Sequence, residues 1–252
     1  MKLSQFAVSP CSNPDWDLDQ VLTAYSALGY RKFEVFTSWA RSAFDYTNDP
    51  AVYLKKGRAH NMAFTSMHLP PVMADNLDAG IKEAVTATRF AAAIGANVVL
   101  FKAQDRPTYI KAALPFLDAI ESINITPVLQ NHCGSALTTL DDVKEVHEGI
   151  ADPRMKALLE VGHFHSAGVL WPEAAEYLGE KIALVHIKDQ LGVQSVPFGE
   201  GEIDLPGLFR YMDERDYTGN YVIEMEVKDA ENTIDYLVRA INYVKMYCEP
   251  CP

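Results

Sequence analysis

Eight polar side chains, His68, Gln130, His132, Glu160, His186, Lys188, Glu224 and Glu226, close a set of short apolar runs. In ALVHIKDQ (183–190), the apolar run ends in His186, with Lys188 and Asp189 just beyond. Carboxylates gathered beside imidazoles repel one another unless a cation or proton stands between them. A divalent ion is the simplest remedy. Carboxylate and amide oxygens with one imidazole suit Mn²⁺ or Mg²⁺, with Co²⁺ or Zn²⁺ as alternatives. A single His or Glu would be read as a satisfied core residue. Four neighbouring runs that end alike point to a site.

The runs that must position these groups are 3–8, 32–36, 63–69, 97–102, 125–131, 156–161, 182–187 and 221–227. They recur about every thirty residues, as strand–helix units do. Between them lie helical patterns at 17–30, 79–96, 138–150 and 229–247, the first with a capping Asp and a closing Gly. Eight such units in one chain predict an α/β fold, a (β/α)8 TIM barrel forming a single domain over 1–252. An open doubly wound sheet is the rival, but no G-x-G-x-x-G turn follows the first run.

Side chains alternate faces along a strand. One face therefore carries Ser66 and His68, Leu100 and Lys102, Val128 with Gln130 and His132, and Leu158 and Glu160. It continues with Leu184, His186 and Lys188, and with Val222, Glu224 and Glu226. The other face carries Val99, Phe101, Leu129, Leu159, Val185, Ile187 and Ile223, which should pack under helices. The first face turns polar only at the carboxyl ends of the strands, where barrel active sites sit.

Bulk composition narrows the function. The chain has 252 residues, 48 % hydrophobic, and a net charge of −12. Such a surface opposes binding to nucleic acid or an anionic membrane, but not to a cation or a neutral sugar. No apolar stretch is long enough to span a membrane, and the N-terminus has no signal-peptide core, so a cytoplasmic enzyme is expected. Four cysteines are too few for a disulfide scaffold. Cys248 and Cys251 form a lone C-x-x-C, read as a tail feature.

The ordered set SMHLP (66–70), LQNHCG (129–134), LEVGHFHSAG (159–168), HIKD (186–189), FGEGEID (198–204) and YVIEMEV (221–227) resembles the xylose isomerase-like barrels over nearly the whole chain. That group includes sugar (phosphate) isomerases and epimerases, inosose dehydratases and the endonuclease IV enzymes. The resemblance implies one metal held by Gln130, Glu160, His186 and Glu224, with His163 and His68 touching substrate. It also implies a small-molecule sugar substrate and a homo-oligomer. Glu160 stands where the family has Asp, and Gln130 where it has Glu. An amide can ligate a hard cation but is neither anionic nor a base. The two-carboxylate proton shuttle of the epimerases is therefore missing one member.

The chemistry expected is proton removal beside a metal-polarised carbonyl, through an enediolate. Glu224 is the expected base, Glu226 the reserve, and Lys188 or His163 the hydrogen-bond donor to the enediolate. Isomerisation or epimerisation leads. Dehydration of a keto-inositol or keto-sugar, and a non-catalytic sugar-binding barrel, are the alternatives. The endonuclease reading is disfavoured, because the loop 190–200 has no histidine. Glu34 is expected to bind a substrate hydroxyl or His68, and His132 to contact substrate. Trp39, with Phe44 and Tyr46, is expected to form a sugar wall or a packing surface. Loop 196–209 is acidic, which argues for an unphosphorylated substrate, and Asp189 is expected to hold Lys188 or the loop. His147 and His165 are expected on helices or the surface.

Overall fold

The computed structural model describes residues 1–249, so Cys251 and the C-x-x-C reading lie outside the described residues. Among the described residues ten strands occur: β1 (Phe6–Val8), β2 (Lys32–Val35), β3 (Ala63–His68), β4 (Val98–Leu100), β5 (Thr126–Gln130), β6 (Lys156–Glu160), β7 (Ile182–Ile187), β8 (Asp189–Leu191), β9 (Gln194–Val196) and β10 (Asn220–Ile223). Eight of them close a parallel barrel in the order β1-β10-β7-β6-β5-β4-β3-β2, while β8 and β9 form a separate antiparallel hairpin. All eight expected runs are barrel strands. The hairpin was not expected, because its two strands are only three residues long.

The helices are α1 (Leu18–Ala27), α2 (Pro50–Ala59), α3 (Leu77–Ala93), α4 (Arg106–Ile120), α5 (Leu140–Ile150), α6 (Val161–Ser166), α7 (Trp171–Leu178), α8 (Leu205–Asp213) and α9 (Thr233–Lys245). Local chemistry sets their starts. Asp17 accepts from the Gln20 backbone N–H while the Gln20 side chain returns the bond, a capping box that begins α1. Asp105 caps α4 through Thr108 N–H, and Pro107 in the first turn needs no donor there.

The two strand faces separate as their alternation requires. Val99, Phe101, Leu129, Leu159, Val185, Ile187 and Ile223 are buried in the shell between sheet and helices. Ala7, Val98, Leu100, Val128, Leu158, Leu184 and Val222 form a second cluster that plugs the barrel interior. One pleat further along the same strands, the interior becomes charged.

Candidate active site and metal centre

The centre of that charged layer is His186, with no solvent exposure. Strand register places it beside Glu160 on β6 and Val222 on β10. Its Nδ1 lies 2.9 Å from Glu160 Oε2 and 3.1 Å from Glu224 Oε1. Its Nε2 lies 3.0 Å from Glu34 Oε2. Burial alone would push the imidazole pKa down. Glu34, Glu224 and the bond to Glu160 instead hold it well above the usual value.

Glu34, on β2, is fully buried within this network. It accepts from Ser66 Oγ at 2.8 Å and contacts His68 Nε2 at 3.1 Å as well as His186. Burial would raise its pKa, but His186 and His68 hold the carboxyl well below the usual range. A carboxylate that takes Nε2–H leaves Nδ1 as the ligand atom, as outer-sphere partners of metal-binding histidines do. The expected contact with His68 is present.

Lys188 sits one pleat above His186. Its Nζ lies 2.7 Å from Glu224 Oε2, 2.7 Å from Glu226 Oε2 and 3.9 Å from Glu160 Oε1. The approach to Glu224 is an ion contact without hydrogen-bond geometry, so Oε2 is a buried oxygen with no hydrogen bond. Burial would lower the Lys188 pKa, yet these carboxylates keep it well above normal. The stem reaches this place by crossing Gly162, where a Cβ would lie 2.4 Å from Lys188 Cγ. Asp189 does not pair with Lys188. Its carboxylate accepts from the backbone N–H groups of Gly199, Gly201 and Ile203 at 2.8, 3.0 and 3.3 Å, and so folds loop 197–204 around itself. A Cβ at Gly201 would lie 2.0 Å from Asp189 Oδ1.

Above the network opens a cavity of about 270 Å³, lined by His68, Lys102, Gln130, His132, His163, Glu224 and Glu226 among others. It is smaller than pockets for drug-sized ligands, which start at about 300 Å³, and suits a small molecule. His132 and His163 pack together, their rings tilted by 41° with centroids 3.9 Å apart. Burial, then Lys188, pushes His163 down to about 2, and burial lowers His132 too, so both are neutral. Trp39 is on the wall, 67 % exposed, with a left-handed backbone at φ 72. Phe44 and Tyr46 are not: Phe44 is buried against Tyr53, and Tyr46 bonds Glu83. Cys11, Phe36, Thr37 and Ser38 line the cavity without having been singled out. Cys11 lies past the end of β1, in a short 3-10 turn over Pro10–Ser12, so strand alternation gave no signal for it. His165 contacts Glu202 at 3.2 Å, and His147 is buried in α5.

The donors fit a divalent ion. Glu160, His186 and Glu224 each offer one atom, and the three lie within 4.8 Å of one another. Glu160 is pushed up to about 7, first by burial and then by Glu224, as a carboxylate held against another must be. The unbonded Oε2 of Glu224 adds an acceptor without a hydrogen-bond donor. Gln130 is nearly buried and lines the same cavity.

A closed parallel barrel with carboxylates and an imidazole at its carboxyl mouth defines a class, and comparison with known proteins gives the family. The chain belongs to the xylose isomerase-like TIM barrel family, whose model matches residues 22–245. An inosose dehydratase of Mesomycoplasma hyopneumoniae (strain J) is 21 % identical over 277 aligned positions, covering 92 % of this chain and 89 % of its own length. An L-ribulose-5-phosphate 3-epimerase, UlaE of Salmonella paratyphi C, is 41 % identical over 66 residues, 25 % of this chain and 23 % of its own length. This chain thus aligns with under a quarter of that epimerase. The IolI protein with a bound zinc atom superposes with a TM-score of 0.79 at 15 % identity, over 98 % of this chain and all of that one. At that identity the likeness is one of fold.

Proposed function

We propose that the chain is a divalent-metal-dependent sugar isomerase or epimerase that removes a proton beside the carbonyl of a small polyhydroxy substrate. One observation carries this reading. Glu224 belongs both to the buried cluster with Glu160 and His186 and to the cavity wall. Glu160, His186 and Glu224 would hold the ion, with Gln130 as a neutral fourth donor. The zinc of the IolI protein supports a cation at this mouth. When bound, the ion supplies Lewis-acid polarisation of the carbonyl, which acidifies the neighbouring C–H.

The chain's own residues do the rest. Glu34 fixes the His186 ring. Glu224 takes the proton. Burial would make it a stronger base, but Lys188 and His186 hold its pKa well below normal, so it stays ionised in mild acid. Lys188 faces Glu224 and Glu226 and balances the charge that proton transfer moves. Neutral His163 and His132 stand in the same cavity to donate or accept a proton on the substrate oxygens.

Dehydration is a second reading, and Gln130 favours it. Epimerisation needs a proton acceptor and a donor on opposite faces of the carbon, and an amide is neither near neutral pH. Elimination needs one base and one proton donor to the leaving hydroxyl. The dehydratase relative, aligned along most of this chain, supports that reading.

The test is incubation of Mn²⁺-loaded protein with keto-sugars and a keto-inositol in D2O, followed by NMR and mass spectrometry. Deuterium beside the carbonyl, lost in a folded Glu224→Gln variant, is the expected result. A product that keeps its formula apart from the added deuterium identifies isomerisation or epimerisation, and loss of water identifies dehydration. Exchange that persists in Glu224→Gln removes Glu224 from the role.

A further inference from the structure

The site holds two lysines in opposite circumstances. Lys188 is neutralised by Glu224 and Glu226. Lys102 follows β4, its backbone held where Val72 N–H donates to Lys102 O at 2.9 Å and Val72 pairs with Ala103. Its side chain lines the cavity beside His68 and Gln130. Among the described residues, no carboxylate oxygen lies within 4.0 Å of its Nζ. Burial lowers its pKa, and Glu34 and Glu224 attract it only from beyond contact range. Its charge reaches His68, which burial and then Lys102 push down to about 4.

Lys102 is only partly buried, and its side chain meets the cavity without a contact counter-ion. The wall carboxylates Glu224 and Glu226 are in contact with Lys188 instead, so the Lys102 ammonium is open to an anionic group that enters. Loop 196–209, whose acidic residues would repel an anion, contributes nothing to the cavity wall, because Asp189 folds it elsewhere.

We infer that Lys102 anchors an oxyanion substituent, a carboxylate or a phosphate, carried by the polyol that enters this cavity. This rests on the cavity being the substrate site; a phosphate would reverse the expectation of an unphosphorylated substrate, whereas a carboxylate would keep it. One charge-assisted contact of this kind is worth about tenfold or more in affinity.

The experiment is calorimetric titration of the Mn²⁺-loaded protein with three probes on one carbon skeleton: D-glucitol, D-gluconate and D-glucitol 6-phosphate. At least one anion should bind about tenfold or more tighter than glucitol. That advantage should vanish in Lys102→Gln and persist in Lys102→Arg. Preference for gluconate identifies a carboxylate, and preference for the phosphate identifies a phosphoryl group. An advantage retained in Lys102→Gln overturns the inference. So does wild-type protein that binds neither anion better than glucitol, including protein that binds none of the three. The probes carry no aldehyde or ketone, so their binding does not depend on proton removal. Failure here leaves the exchange test standing, and failure of that test leaves this one readable.

Discussion

Two layers of the barrel interior differ by one pleat and have opposite physics. The lower layer, with Leu158, Leu184 and Val222, is a dry apolar plug. The upper layer, with Glu160, His186 and Glu224, is just as buried and made of ionisable groups. In the lower layer each side chain is replaceable by another of similar volume. In the upper layer each group is held by the charge of its neighbours, and removing one leaves the others uncompensated. Burial therefore does not distinguish structure from function here. Chemical type at the same depth does.

The largest effect expected from breaking this contrast is in the upper layer. His186→Leu leaves Glu34, Glu160 and Glu224 without their shared partner and should cost about 3–5 kcal/mol of stability, measured by urea unfolding. It should also abolish metal binding. Leu184→Ala, one pleat below, should cost about 2–4 kcal/mol through the cavity it leaves, with metal content unchanged. Equal loss of metal in both variants would mean that the two layers are not separable.

The smallest effect sharpens the contrast by comparing two buried histidines. His147 in α5 has no carboxylate partner, and its Nε2 makes no hydrogen bond among the described residues. Burial, then Lys181, pushes it down to about 4, the reverse of His186. The unfolded chain therefore binds a proton here between pH 6.5 and about 4 that the folded chain refuses. The stability tied to a neutral His147 is intact above pH 6.5 and is lost as pH falls, by about 1.4 kcal/mol per unit. His147→Phe should remove that slope in urea unfolding measured from pH 7 to 4. The raised His186 works in the opposite window: its contribution is full below pH 6.5 and fades as pH rises through its folded pKa.

Much of this was legible because period two is a local property. The polar ends of β5, β6, β7 and β10 could be read directly from alternation along each strand. Partners across strands could not. The contacts of Glu34 with His68 and His186 depend on closure of the barrel, which brings β2 within reach of β7. The pairing of Lys188 with Glu224 and Glu226, rather than with adjacent Asp189, depends on the same closure and on Gly162 giving its stem room. Lys102 was visible as a strand end, but its lack of a counter-ion could be seen only once the cavity was assembled. Cys11 could not be read this way, because it sits in the 3-10 turn Pro10–Ser12 beyond the strand.

The central claim is that the upper layer is a mononuclear metal site. Elemental analysis of wild type and His186→Gln, both purified without chelator, then dialysed against excess Mn²⁺ and checked for fold by circular dichroism, tests it most directly. About one divalent ion per wild-type chain and a large loss in His186→Gln are expected. Wild-type protein that takes up no metal, or a folded His186→Gln that keeps its full complement, would contradict it.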